Sequence, residues 1–405
     1  MKVLFVGPLF PIPAHSGGQI ATLETLRSLQ ALCEIHLLVP PPEHDGEANQ
    51  IALQRLLPGV RVHFYPVRSP RRLQIYATAL IAAATRRSYW AVAWQDRTLR
   101  TMVKRLHRSE AFDIVHCEWL QPAIALRGLD LPMVIRTLDV HFVGMDAWVR
   151  NLPQRDRLRR RYWQAQAKRF RSVEGGTLAA AKRVVTLSTE DEVTLRNLGV
   201  QNIVTIPPPR SVEPIDPIHT GTPLALFLGR LDMAPNREAF FLFADEIWPL
   251  VSEESKSRAR IVFAGGIAGD DIRRRAAECG IEIRGPLSDA EALRLLAEVD
   301  LFLSPVRSGT GIKIKTLDAM AHGKAMIGFP GTFRGVPVEN GVQAMIADTP
   351  ADFARLFEQL IDDEPRRRAI GSAARDFIRL HFDPAILGQY LVNIYAEVAR
   401  ETRTP

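Results

Sequence analysis

The sequence predicts an α/β protein built from two doubly wound parallel-sheet domains joined by a linker. Three observations carry this. Short apolar runs alternate with helical segments through the first half, a proline-rich stretch interrupts them, and the same alternation restarts. Strands of a parallel sheet covered on both faces are apolar throughout rather than at every second residue. At 405 residues the chain also has the length of two ordinary domains.

The elements follow in order. Val3-Leu4-Phe5-Val6 reads as a first buried strand over residues 3–6, followed by a helix over 18–32 with Ser16 placed as its N-cap. Aliphatic runs predict further strands at 35–39, 60–65, 114–117, 134–137 and 184–187. Helices are expected at 73–85, 96–108, 153–181 and 189–198. Pro207-Pro208-Pro209, Pro214, Pro217, Gly221 and Pro223 then have the composition of an interdomain linker. The second series predicts strands at 224–228, 260–264, 281–283, 301–304 and 326–328, with helices at 237–253, 270–279, 289–299 and 311–322. From Pro350 the chain reads as helix to Glu401. The expected organisation is a domain over 1–206, a linker over 207–223, a domain over 224–380 and a last helix over 381–405. Ligands of open parallel sheets bind outside the carboxyl ends of the strands, so two such sheets predict a cleft.

Composition narrows the function. A hydrophobic fraction of 46% suits a globular protein with an ample core. Cys33, Cys117 and Cys279 are scattered, which points to a reducing, cytoplasmic setting and not to a disulfide framework or a metal motif. The first apolar run is too short for a signal peptide, and no run reaches the ~20 residues that span a bilayer. The net charge of +7 favours anionic partners. Its arginines cluster at 68–72, Arg86-Arg87 and 155–161, all in the first half. Solvated helix faces account for any one cluster. Together they make the N-terminal domain the expected point of peripheral contact with the inner face of a membrane. Nucleic acid is a poor fit, because the basic residues lack interleaved aromatics.

One motif stands out. Ser308-Gly309-Thr310-Gly311-Ile312-Lys313-Ile314-Lys315-Thr316-Leu317-Asp318 follows the strand at 301–304 and reads as a glycine loop entering a helix near Gly311. Arg307, Lys313 and Lys315 gather at that helix start, where the dipole is already positive. Design so unfavourable calls for an anion, and free N–H groups at a helix start bind one. The alternative is a plain glycine turn with an intrahelical Lys315–Asp318 pair. Arg230, in Gly229-Arg230-Leu231-Asp232, ends the first strand of the second domain and can fork onto a diphosphate, or stand as a surface arginine. In the first domain, Gly17-Gly18 sits at a strand–helix turn, and Asp139 with His141 ends a strand, as does His116-Cys117-Glu118. Each has a plain structural reading as well: a turn, or a loop histidine bonded to backbone. The apolar segment 71–90, with arginines at both ends, is expected to be a buried helix; the alternative is a helix resting on a membrane or meeting a lipid-linked acceptor.

These residues together resemble the retaining glycosyltransferases of the GT-B fold, in the family called GT4. The segments that carry the resemblance are 227–236, 261–266, 283–287 and Gly311-Ile312-Lys313-Ile314-Lys315-Thr316-Leu317-Asp318-Ala319-Met320-Ala321-His322-Gly323, with Gly17-Gly18, Asp139, His141 and Glu174 in the first half. The resemblance implies two Rossmann-like domains facing across a cleft, with the C-terminal helix over 381–405 crossing back to the first domain. It also implies transfer of a sugar, with retention, from a nucleotide diphosphate donor (UDP or GDP) to a hydroxyl of a glycan, a lipid-linked molecule or a small molecule, without a cofactor or metal. Arg230, Lys315, Asp318 and His141 would carry the chemistry. Arg307, Ser308, Gly309, Thr310, Gly311, Ile312, Pro286 and Leu287 would hold the donor, and Gly17, Gly18 and Asp139 would lie on the acceptor side. Two departures are visible. The family's paired glutamates fall on Thr310 and Asp318, and its lysine after the Gly-Arg motif is replaced by Pro235-Asn236, leaving Lys315 or Lys313 as the cation. A nucleotide-sugar epimerase and a non-catalytic sugar-nucleotide-binding subunit remain as alternatives.

Overall fold

The computed structural model describes residues 1–67, 72–150, 152, 157–212, 215–216, 218 and 221–403, without the side chains of 72, 73 and 289. Arg68, Arg71, Arg155, Pro214, Pro217 and the first four residues of the helix expected from 153 lie outside them. The chain divides into two units, Met1–Pro209 with Pro384–Pro405, and Arg210–Asp383.

The first unit holds seven strands: β1 (Lys2–Val6), β2 (Glu34–Val39), β3 (Val60–Phe64), β4 (Ile114–Glu118), β5 (Met133–Arg136), β6 (Arg183–Thr186) and β7 (Ile203–Thr205). They pair in parallel in the order β3-β2-β1-β4-β5-β6-β7. Alternate side chains feed two cores. Val3 and Phe5 join Leu26, Leu29 and Tyr395 on one face, while Leu4 and Val6 join Val103, Leu126 and Phe170 on the other. The last helix, Pro384–Arg403, packs on the helix Gly17–Leu29; a Cβ at Gly388 would stand 2.7 Å from the carbonyl of Ser28.

The second unit holds β8 (Leu224–Leu228), β9 (Arg260–Ala264), β10 (Glu282–Arg284), β11 (Leu301–Ser304), β12 (Ala325–Gly328) and β13 (Met345–Ile346), parallel in the order β10-β9-β8-β11-β12-β13. The α/β class and both sheets agree with the sequence reading. The short edge strands β7 and β13 were not predicted, nor were the helices Gly46–Leu56, Leu120–Leu126 and His141–Arg150.

Three expectations are corrected. The helix expected over 237–253 runs only Ala234–Leu242 and then loosens into a π turn, Phe243–Ile247, and a 3-10 turn, Trp248–Leu250; Pro249 cannot continue the hydrogen-bond ladder. The helix expected from Gly311 begins at Ile314. The apolar helix Arg72–Ala84 is not buried. Tyr76 is 69% and Leu80 71% exposed, Ile75 and Ile81 are exposed too, and Ala82 is the one buried side chain described in it. The sheet offers it no apolar face, because the helices Gly17–Leu29, Arg97–Glu110 and Pro384–Arg403 already fill the two cores.

Candidate functional site

Strand order puts a switch point between β8 and β11: the chain leaves β8 towards β9 and β10 on one side, and β11 towards β12 and β13 on the other. Loops diverge there and leave a crevice at the carboxyl ends. Gly229-Arg230-Leu231-Asp232 follows β8, and 305–313 follows β11, so both motifs singled out in the sequence flank the crevice of the second unit.

The loop after β11 has an unusual division of its backbone groups. Gly309 and Gly311 adopt φ of +103° and +71°, a left-handed conformation that denies the helix its early start. Lys313 Nζ turns back and donates to the carbonyls of Gly309, Thr310 and Gly311 at 3.1, 3.4 and 2.9 Å. Its carbonyls are thus engaged. The N–H groups of Ser308, Gly309, Gly311 and Ile312 donate to no described group. A run of unsatisfied N–H groups beside a fixed cation is an anion cradle. Ser308 Oγ donates to Glu238 Oε2 at 2.6 Å, which ties the loop to the helix Ala234–Leu242. Arg307 lies with its guanidinium 4.5 Å above the ring of Phe329.

Lys315, in the first turn of the helix Ile314–Ala321, does not pair with Asp318. Its Nζ donates to Asn236 Oδ1 at 2.7 Å and lies 4.0 Å from the ring centre of Phe227. It also fills the space where a Cβ of residue 229 would be, 3.1 Å away, so glycine there lets the ammonium reach the end of β8. Lys315 thereby occupies the turn after β8, whose own sequence supplies no lysine. Burial, with Lys313 beside it, pushes its ammonium down to about 7. Asp318 is ion-paired with Arg210. Arg230 is exposed and forks onto Asp232, at 3.2 and 2.5 Å. Pro286 and Leu287 follow β10, two strands from the switch.

In the first unit the switch lies between β1 and β4. Ser16 caps the helix Gly17–Leu29, accepting from the N–H of Gln19 at 3.2 Å. A side chain at Gly18 would collide with the ring of Trp119, which itself holds a left-handed φ of +74° directly after β4. His141 opens the helix His141–Arg150. Its N–H and that of Phe142 donate to Glu174 at 3.0 and 2.8 Å, so Glu174 caps a helix from 33 residues away in sequence. Burial pushes the Glu174 carboxyl up to about 8, with the two N–H groups opposing. His141 Nδ1 is buried without a hydrogen-bond partner among the described residues, with Asp139 Oδ1 3.2 Å away.

His116 and Glu118, the ambiguous pair at the end of β4, are wholly buried. Tyr395 Oη meets His116 Nδ1 at 2.7 Å, His116 Nε2 meets Glu118 Oε2 at 2.9 Å, and Arg136 Nη1 and Thr22 Oγ1 donate to Glu118 Oε1 at 2.8 and 3.0 Å. Burial lowers the His116 pKa and keeps the ring neutral. Burial would raise Glu118, but Arg136 and the hydrogen bonds outweigh it and hold the carboxyl low. This is a fastening between β4, β5 and the last helix. Sequence reasoning missed the roles of Arg210, Asn236, Glu238 and Trp119. Asn236 had a signal, standing in the motif after β8; Arg210, in a proline-rich stretch, had none.

The profile of the family described as Glycosyl transferases group 1 matches residues 222–363, which is most of the second unit. A D-inositol 3-phosphate glycosyltransferase of Corynebacterium aurimucosum is 26% identical over 192 residues, 45% of this chain and 44% of that protein. The aligned region therefore spans less than half of that relative. A sucrose-phosphate synthase of Thermosynechococcus elongatus superimposes with a TM-score of 0.71 at 13% identity, over 99% of this chain and 100% of the other. The Anabaena protein Alr3699/HepE, solved with UDP-glucose, gives 0.69 at 12% identity over 98% and 100%. The chain has the GT-B fold.

Proposed function

We propose that the protein is a glycosyltransferase that moves a sugar from a nucleotide diphosphate donor to an acceptor hydroxyl. One observation carries the reading: at the switch point of the second unit, the N–H groups of Ser308, Gly309, Gly311 and Ile312 stay unsatisfied while Lys313 holds the carbonyls of this loop and Lys315 stands beside it. The cradle suits a diphosphate, and the family profile over the same unit supports a sugar-nucleotide donor; a UDP- or GDP-sugar is the proposed one. The solved Anabaena relative binds UDP-glucose.

Departure of the diphosphate builds negative charge, which fixed cations and N–H groups stabilise without reorganising. Lys315 meets that charge as it develops. Arg230 joins it by exchanging Asp232 for a phosphate oxygen. Asp318, steadied by Arg210, contacts a hydroxyl of the ribose or the donor sugar. His141, with Asp139 beside it, serves the donor sugar or the acceptor. Gly17 and Gly18 shape the acceptor side. Retention is proposed through same-face attack; among the described residues of the second-unit crevice no pair of carboxylates stands out for a double displacement. The acceptor is a glycan, a lipid-linked molecule or a small molecule, and the reaction belongs in the cytoplasm.

Thermal unfolding with UDP-, GDP-, ADP- and dTDP-sugars tests donor binding, since a ligand that binds only the folded state raises Tm. At least one is expected to do so, and none doing so sinks the reading. One observation favours a second reading, a sugar-nucleotide-binding subunit without activity: Thr310 replaces a carboxylate, while Asp318 and Arg230 are both already paired. Donor-dependent Tm shifts without transfer to any acceptor extract, or hydrolysis of the donor, would select it.

A further inference from the structure

A cavity of about 670 Å³ in the first unit is lined by no residue assigned above. That volume is in the range of small-molecule sites. Arg86, Arg87, Arg97, Arg100, Arg127 and Arg169 line it, against one carboxylate, Asp96. Asp96 is engaged as a helix cap, accepting from the N–H groups of Thr98 and Leu99 at 2.8 and 2.9 Å. Arg100 gives Nη1 to the carbonyls of Ala125 and Arg127. The other five guanidiniums make no ion pair or side-chain hydrogen bond with a described residue. Six like charges around one concavity repel one another, and among the lining residues only Asp96 carries an opposite charge. A second observation is independent of charge. Ser88, on the cavity wall, is fully buried, and its Oγ has no hydrogen-bond partner. A buried hydroxyl left unpaired costs free energy that a bound acceptor would recover.

We propose that this cavity binds a phosphorylated ligand through a phosphate or pyrophosphate group. Guanidinium forks match the oxygens of a phosphate in pairs, and the Ser88 hydroxyl adds a neutral donor at the wall. The phosphate has two sources by this chemistry, a free phosphorylated compound or the headgroup of a lipid. The lipid source has its own reason: the exposed apolar helix Arg72–Ala84 ends two residues before Arg86.

The test is calorimetric titration with inorganic pyrophosphate, together with cosedimentation with vesicles of phosphatidylglycerol and phosphatidylcholine. Both use the wild type, an Arg97→Ala/Arg169→Ala double variant, Arg87→Ala and Leu80→Asp. Arg87 is exposed and makes no described side-chain bond, so its replacement does not put folding at stake. The readout is the difference between wild type and variant, so pyrophosphate held by the second unit cancels. At least a tenfold loss of pyrophosphate affinity in both arginine variants, with no vesicle binding, identifies a free phosphate compound. Vesicle binding that fails in the arginine variants and in Leu80→Asp identifies a lipid headgroup. Binding of pyrophosphate and vesicles that is absent from the wild type, or untouched by the arginine substitutions, overturns the proposal.

Discussion

At Lys315 burial and charge are in conflict. A lysine ordinarily titrates near 10.4, and here burial and Lys313 bring it to about 7. Between pH 7 and 10 the unfolded chain binds the proton and the folded one does not, so this residue makes the ligand-free second unit more stable as pH rises through that window. A diphosphate reverses the preference by favouring the ammonium. Nucleotide affinity is therefore expected to fall up to about tenfold per pH unit above pH 7, with up to one proton taken up on binding. Titration calorimetry in buffers of different ionisation enthalpy reads that proton directly. Lys315→Ala should abolish the uptake and cost turnover about a hundredfold, the size of losing one oxyanion donor, with little change in Tm. Unchanged transfer would remove Lys315 from the scheme. The cation cluster at this helix start was legible in the sequence, because it violates the helix dipole. Which lysine does what was not. That depends on Asn236, 79 positions away, and on the empty space at Gly229.

At the scale of elements, the loop after β11 is the part with most to lose. Lys313 closes three carbonyls into one turn. Lys313→Met keeps the length and drops those bonds. The expected result is about 1–3 kcal/mol less stability in the second unit, with nucleotide binding weakened roughly tenfold, measured by thermal unfolding and calorimetry on one preparation. Normal nucleotide binding would mean the cradle does not depend on this clamp. Element by element, the strands were legible because burial on both faces makes them apolar runs with no competing period. β13, two residues long, leaves no such run. The helix His141–Arg150 was missed because its cap is Glu174, which no local pattern can announce. The helix Arg72–Ala84 was legible as a helix and wrongly expected to be buried; apolar composition reports what a segment tolerates, while the places on the sheet were already taken.

For the whole molecule, two doubly wound sheets and the switch point of each followed from the alternation of the sequence. The attachment of the last helix to the first unit did not follow from alternation, because it depends on residues far apart: Tyr395 on His116, and Arg183 on Glu401 at 3.0 Å. Taking Leu387, Leu391, Tyr395 and Val398 out of the core of the first unit is costly, about 2–5 kcal/mol for a large side chain. A chain ending at residue 383 is accordingly expected to lose the unfolding transition of the first unit and keep that of the second. Differential calorimetry of the truncated chain decides this, and two intact transitions would show the fastening to be dispensable. The last helix also bears on biosynthesis. A ribosome delivers residues in order, and domains ordinarily complete themselves from the N-terminus forward. Here the second unit, continuous from Arg210 to Asp383, is entirely synthesised while the first still waits for its final helix. The half of the protein made first is finished last, and until Pro384–Arg403 has been made the nascent chain exposes the groove beside the helix Gly17–Leu29 that this helix fills.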